Sequence, residues 1–292
     1  TGDGAFMRDY GAEIVLDTAR FWASRAEWNA ERGAYEINDV IGPDEDHDHV
    51  DNNAFTNRMA QWNLETAFDV LAWLRREHPQ KAMELVQQLD LSEEQLAHWR
   101  DVVDRLVILQ DPETGLFEQF EDFFRLRDVD LDDYEPREIS LQMLLGIEGV
   151  QDYQILKQAD VLMLLYLLWS PYDPNVVQVN WEYYTPRTDH TYGSSLGPAI
   201  QAALAARQGV NEEAYEHFMR ATRTDLLDVR GNTGDGIHAA SAGGLWQAVV
   251  FGFGGVHIDE DGLKADPRLP SKWKRLAFRL KYRGAWHRFD LT

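Results

Sequence analysis

Between Ile37 and Asn53 the chain reads Ile-Asn-Asp-Val-Ile-Gly-Pro-Asp-Glu-Asp-His-Asp-His-Val-Asp-Asn-Asn. Six carboxylates and two imidazoles fall within the fifteen residues from Asp39 to Asn53. Carboxylates this close raise one another's pKa by repulsion. A carboxylic acid kept protonated near neutral pH is what a general acid needs. Three readings compete. In the first, this is a solvated loop that caps the next helix through Asp51 or Asn52, both good N-cap types. In the second, it holds a metal. Asp44-x-Asp46-x-Asp48 superficially suggests a calcium loop, and His47, His49 and an Asp would suit zinc. An EF-hand needs Gly at its sixth position and Glu at its twelfth. Those places are His49 and Phe55, so the calcium reading fails. In the third, one carboxylate is catalytic and its neighbours position it.

Two other segments carry residue types of interest. His238 is followed by Ser241-Ala242-Gly243-Gly244. Glycines let backbone approach an oxyanion closely, and a helix read over Gly236–Phe251 would aim its positive end at one. Ser194 and Ser195 add hydroxyls from another segment. The bland alternatives are a structural histidine and a glycine pair that serves helix packing. Lys157 and Gln158 open an otherwise apolar helix, where a Lys is commonly a snorkelling surface residue.

Most of the elements that must hold these groups read as helices. Apolar residues recur at three- and four-residue steps over Tyr10–Asn29 and Asp51–Glu77. Ser92 to Gln95 forms a capping box that opens another helix. Further helices fit Gln154–Trp169, Thr191–Arg207, Asn211–Leu227 and Gly236–Phe251. Beyond Phe253-Gly254-Gly255 the pattern changes. Val256–Leu263 reads as a strand pair about Asp261-Gly262. Leu276, Phe278, Leu280 and Tyr282 then alternate with Ala277, Arg279 and Lys281, the mark of a half-buried strand. Arg283-Gly284 turns into a last strand, Ala285–Leu291. No fixed-period repeat is present, which argues against a simple solenoid.

The composition narrows the partners. The 292 residues are 44% hydrophobic with ten Trp, ample for a core. A formal charge of −22 repels phosphate backbones and anionic membrane surfaces, so neither nucleic acid nor membrane is expected. There is no Cys, which excludes disulfides, thiolate metal sites and Cys nucleophiles. No apolar run approaches the ~20 residues of a membrane span, and no signal-peptide pattern opens the chain.

Six stretches together resemble one family. They are Ala19–Arg25 (Ala-Arg-Phe-Trp-Ala-Ser-Arg), Tyr35-Glu36-Ile37 through Asn53–Asn57, Gly115–Phe120 (Gly-Leu-Phe-Glu-Gln-Phe), Leu156–Val161 (Leu-Lys-Gln-Ala-Asp-Val), Thr191–Leu196 (Thr-Tyr-Gly-Ser-Ser-Leu) and Gly236–Gly244 (Gly-Ile-His-Ala-Ala-Ser-Ala-Gly-Gly). Their order is that of glycoside hydrolase family 65, the inverting disaccharide phosphorylases acting on maltose, kojibiose, nigerose or trehalose. The resemblance covers essentially the whole chain. It implies a mainly α fold, a partial (α/α)6 barrel over residues 1–253, and a small C-terminal antiparallel β-sheet domain over 254–292. It implies that the chain begins inside the barrel and is less than half of a complete enzyme.

It also implies roles. Glu45 is the general acid. Lys157 and Gln158 hold the glucose hydroxyls, with Trp22 and Glu118 as weaker sugar-site candidates. His238, Ser241, Gly243, Gly244, Ser194 and Ser195 hold phosphate, which is co-substrate and nucleophile, and no cofactor or metal is needed. The implied reaction is inverting phosphorolysis of an α-linked glucose disaccharide to β-glucose 1-phosphate and a free sugar. The alternatives are an inverting hydrolase on the same barrel, or an inactive truncated fragment. The implied setting is cytoplasmic, and the family often forms homodimers. Two residues depart from the family's pattern. Asp46 stands where Tyr is common and adds charge beside Glu45. Gly197 stands where Ser is common and costs a hydroxyl.

Overall fold

The computed structural model describes residues 2–169, 172–259 and 261–292. They divide into two compact units. The first comprises residues up to Gly42, His49–Leu109 and Glu118–Glu121; the second comprises Pro43–Asp48, Gln110–Phe117 and residues from Asp122 onward.

In the first unit, α1 (Gly4–Phe6) leads through a π-helical stretch, Met7–Gly11, into α2 (Ala12–Arg25). The helix expected to reach Asn29 stops at Arg25, because Glu27–Asn29 is a strand, β1, paired with β2 (Ala34–Glu36). Local chemistry explains the stop. The Asn29 side chain accepts hydrogen bonds from Glu31 N at 3.0 Å and Arg32 N at 3.1 Å, and Gly33 supplies φ +67°. Such a turn suits Asn and Gly and closes a hairpin. α3 (Ala54–Glu77), α4 (Pro79–Gln88) and α5 (Glu93–Arg105) follow. Asn53, rather than Asp51 or Asn52, caps α3 by accepting from Thr56 N at 2.9 Å. Asn52, at φ +53°, instead gives its amide to Glu121 at 2.7 Å. Ser92 caps α5 as the capping box predicts. Leu16, Leu64, Leu74, Leu85, Leu96 and Trp99 form the core of this unit.

The second unit holds α6 (Leu141–Leu145), α7 (Ile147–Val150), α8 (Asp160–Leu167), α9 (Pro174–Tyr184), α10 (Gly197–Gln208), α11 (Asn211–Leu226) and α12 (Ala239–Gln247). α12 runs on as a π-helical turn, Ala248–Phe253. Three helices start later than periodicity suggests. Residues before α8 are drawn out extended, with Leu156 bridged to Thr188. Those before α10 are held in a turn by Asp189. Those before α12 include Gly236 at φ +135°, which a helix excludes.

α8, α10 and α12 run in the same direction. A Cβ on Gly244 would lie 2.8 Å from Ala199 Cβ, and one on Gly252 would lie 3.0 Å from Ala203 Cα. Numbers therefore rise together along α10 and α12. The alanines that fill α10 are what allow so close an approach. At the start of α8, Gln158 Cβ lies 3.9 Å from where a Gly197 Cβ would be. At its far end, Tyr166 OH donates to Gln247 Oε1 at 2.6 Å, and Arg207 Nη1 donates to Tyr166 O at 3.4 Å. All three N-termini lie at one end of the unit. Each carries roughly half a positive charge there.

The chain ends in two hairpins. β3 (Val256–Asp259) pairs with β4 (Gly262–Ala265), with Asp259 opposite Gly262. Gly262 is thus the first residue of β4 rather than part of the turn. β5 (Leu276–Tyr282) pairs with β6 (Ala285–Leu291), and Phe278 stacks on Phe289 at 5.1 Å. Trp273 packs its ring 4.8 Å from Phe253 and 5.5 Å from Phe218 of α11, which ties this segment to the helices. Among the described residues no helix is long and apolar enough to cross a membrane.

Candidate active site

The acid loop Pro43–Asp48 is fastened to the start of α8. Asp44 is 1% exposed, and its Oδ1 accepts from Lys157 N at 2.9 Å and Gln158 N at 3.4 Å. Its own N donates to Asp160 Oδ1 at 2.6 Å, and its Oδ2 meets His47 Nδ1 at 2.8 Å. The other ring nitrogen of His47 lies 2.9 Å from the Tyr153 carbonyl oxygen. Burial opposes charge on His47, but the Asp44 carboxylate, the Tyr153 carbonyl and Asp46 together lift its pKa above the ordinary value. Asp44 is thus a clamp. Held by it, Glu45 projects outward, its side chain 58% exposed, and pairs with Lys157 Nζ. The Gln158 amide donates to Pro43 O. Three of the expected site residues are thereby brought together at one helix start.

Asp46, next to the exposed Glu45, is buried. Asp46 is 4% exposed and its Oδ1 is buried without a hydrogen-bond partner among the described residues. Burial, then the nearby Asp44, push its pKa up to about 7, against the opposing charges of His47 and Lys157. The crowding noted in the sequence is therefore expressed at Asp46, chiefly through desolvation. The linkage has a definite sign. A carboxyl that titrates near 3.8 unfolded and near 7 folded makes the fold less stable as pH rises between those values. At 1.36 kcal/mol per unit the loss is about 4 kcal/mol. Asp46→Asn is expected to gain on the parent by that order between pH 4 and 8, read by urea denaturation. A stability difference independent of pH would show that Asp46 does not titrate there.

The serine segment lies against Lys157. Ser194 N donates to Lys157 O at 2.9 Å, and Gly193 N donates to Asp189 O at 3.0 Å. A Cβ on Gly193 would stand 2.3 Å from Asp189 O and 2.6 Å from Lys157 O, so the turn admits only glycine. Asp189 fixes this turn. It is 2% exposed, pairs with Arg137 through two 2.8 Å contacts and accepts from Tyr192 N at 3.0 Å. Although burial works against it, this pairing with Arg137 holds Asp189 below the usual carboxylate range. Ser194 Oγ accepts from Leu196 N at 3.2 Å, and Ser195 is half-buried ahead of α10.

His238 stands at the N-cap position of α12. Asp225 Oδ1 accepts from its Nδ1 at 2.5 Å, and Asp225 Oδ2 accepts from its backbone N at 2.9 Å. These bonds hold Asp225 below its ordinary pKa. They also place the Nδ1 proton. Ser241, in the first turn of α12, is 2% exposed and its Oγ has no hydrogen-bond partner among the described residues. A Cβ on Gly243 would meet nothing within 4 Å, whereas Gly244 is packed on α10. Gly243 is thus an open backbone position and Gly244 a packing one.

The model of the glycosyl hydrolase family 65 central catalytic domain matches residues 1–247, and that of the family's C-terminal domain matches residues 256–292. The chain belongs to glycosyl hydrolase family 65. It is 42% identical to a kojibiose phosphorylase of Thermoanaerobacter brockii over 97% of its own length and 37% of that protein's. It is 38% identical to an alpha,alpha-trehalose phosphorylase of the same organism, covering 100% of this chain and 38% of that one. A solved human-microbiome protein, named as a candidate kojibiose phosphorylase, matches at 31% identity with a TM-score of 0.91 over 100% of this chain and 42% of its own. The chain therefore spans under two-fifths of the length of those two phosphorylases. The likeness to that structure carries the fold class expected from the sequence, mainly α, part of a helical barrel, with a small antiparallel β region at the C-terminus.

Within this family 65 chain, Trp22 and Glu118 belong to the first unit. Trp22 packs against that unit's core, as an aromatic at helical spacing commonly does. The zinc reading of the acid loop loses His47, whose two nitrogens are engaged by Asp44 and Tyr153. Gly197 is buried as the first residue of α10, with no side chain to reach an anion. Sequence reasoning missed Asp44, Asp160, Asp189 and Asp225, the carboxylates that position the expected residues. For Asp44 the one available signal was its place inside the Gly-Pro-Asp-Glu run.

Proposed function

We propose that this chain carries the acid and the phosphate-binding groups of an inverting disaccharide phosphorylase acting on an α-linked glucose disaccharide. One observation carries the reading. Lys157 pairs with Glu45 through its ammonium and accepts from Ser194 N through its carbonyl, so one residue joins the acid to the hydroxyl segment. Glu45, exposed on a rigid clamp, gives its proton to the glycosidic oxygen as the C–O bond breaks. A phosphate oxygen then bonds C1 from the opposite face, giving β-glucose 1-phosphate and a free sugar. Phosphate is already an anion and needs no base. It needs donors and positive potential, and in this reading the starts of α10 and α12 supply both, since Asp44 already takes Lys157 N and Gln158 N ahead of α8. Trp22 and Glu118 remain proposed sugar contacts, and Ser195 and Gly243 proposed phosphate contacts. The division into 1–253 and 254–292 is retained as part of the proposal.

Product analysis tests the reading. The protein is incubated with kojibiose, maltose, nigerose and trehalose, with and without inorganic phosphate. Phosphate-dependent β-glucose 1-phosphate is expected with one of them. Glucose released at the same rate without phosphate would instead make this an inverting hydrolase.

A further inference from the structure

Arg230 sits between the two segments assigned to phosphate, and neither its spacing nor the family motifs single it out. Its Nη1 donates to Gly193 O at 2.5 Å, the residue before Ser194. Asp225, which fixes His238, is close enough for the guanidinium to act on its charge. The Arg230 side chain is therefore fixed at the turn before α10, and its charge is felt at Asp225, which fixes His238. Its charge has no dedicated partner there. The carboxylates nearest to it in effect are Asp189 and Asp225. Asp189 is committed to Arg137 and Asp225 to His238. Arg230 Nε is buried without a hydrogen-bond partner among the described residues, and so is the hydroxyl of Ser241 in the first turn of α12. An unpartnered guanidinium N–H on the side chain that holds the turn before α10, and an unpartnered hydroxyl at the start of α12, are both groups that an anion would satisfy.

We propose that Arg230 is a phosphate-binding residue of this site, a cation fixed at the Ser194 segment and felt at the His238 segment, which holds a dianionic oxyanion between them. The proposal rests on the phosphorylase reading for the role of the anion, but its chemistry is that of oxyanion recognition alone. A guanidinium keeps its charge in a partly dry site, where a Lys would more readily lose it. Nη1 is spent on Gly193, which fixes the plane, and the edge bearing Nε is left for the ligand. A planar fork of this kind suits phosphate oxygens.

The experiment measures binding of inorganic phosphate to the full chain by calorimetry, in the absence of sugar. Phosphate should bind the parent, and Arg230→Gln should weaken it by roughly 10- to 100-fold, the usual range for a charge-assisted hydrogen bond. Arg230→Lys, which keeps the charge, should recover part of the loss. Where turnover is measurable, KM for phosphate should rise in the Gln variant while KM for the disaccharide stays near the parent value. Equal phosphate affinity in the parent and Arg230→Gln overturns the proposal, as does a parent that binds no phosphate. A parent that binds phosphate through Arg230 yet forms no β-glucose 1-phosphate supports this proposal and rejects the phosphorylase reading.

Discussion

Glu45→Gln is expected to lower disaccharide turnover by about 10²- to 10⁴-fold, the usual contribution of a positioned general acid. The amide keeps the size of the side chain and an oxygen for Lys157, but it has no proton to give. Stability should hardly change. The Lys157–Glu45 pair is more than half exposed on its acidic side, and exposed pairs contribute about 0–1 kcal/mol. A substrate with a leaving group that needs no proton separates the acid role from a binding role. With α-glucosyl fluoride and phosphate the variant should work within about tenfold of the parent, since fluoride departs unassisted. If the variant cleaves its disaccharide within tenfold of the parent, Glu45 is not the acid.

Asp44→Ala should have the largest effect on stability. The carboxylate is buried and serves three backbone N–H groups and the His47 ring at once. Removing one partner of a buried pair costs about 3–5 kcal/mol. For a unit of this size that corresponds to a fall in melting temperature of roughly 6–20 °C. The penalty depends on pH. The His47 pKa is raised in the fold, so its proton contributes stability that is complete below the ordinary imidazole value of 6.5 and is lost as pH rises through the folded value. The gap between variant and parent should narrow from pH 6 to pH 9, as thermal melts across that range would show. A gap that stays constant would mean that His47 is not protonated against Asp44.

The elements legible from sequence were those whose cause is local. α3, α5 and α11 show apolar periodicity and end close to where it ends. β5 and β6 alternate along their length, and the Arg283-Gly284 turn joins them. The starts of α8, α10 and α12 were read three to six residues early. Polar residues there fit a helix pattern, but tertiary contacts hold them extended or turned: Leu156 against Thr188, Gly193 over Asp189, His238 on Asp225. The candidate site was legible to the same degree. Glu45 and the Lys157, Ser194 and His238 segments stand in recognisable motifs. Asp44 looked like one more acid in an acidic loop, because its partners lie 113 and 116 residues away. Arg230 is an ordinary Arg until the fold brings it to Gly193.

That long reach of Asp44 also sets an order of events during synthesis. Asp160, which receives the Asp44 backbone N–H, leaves the ribosome 116 residues after it. Closing so long a loop costs entropy that only the finished start of α8 can offset. Until then the loop has neither the Asp160 contact nor the Lys157 ammonium beside Glu45. A nascent chain that has not reached residue 160 therefore lacks the contact that fixes this loop, and the loop takes its final form only after α8 has begun.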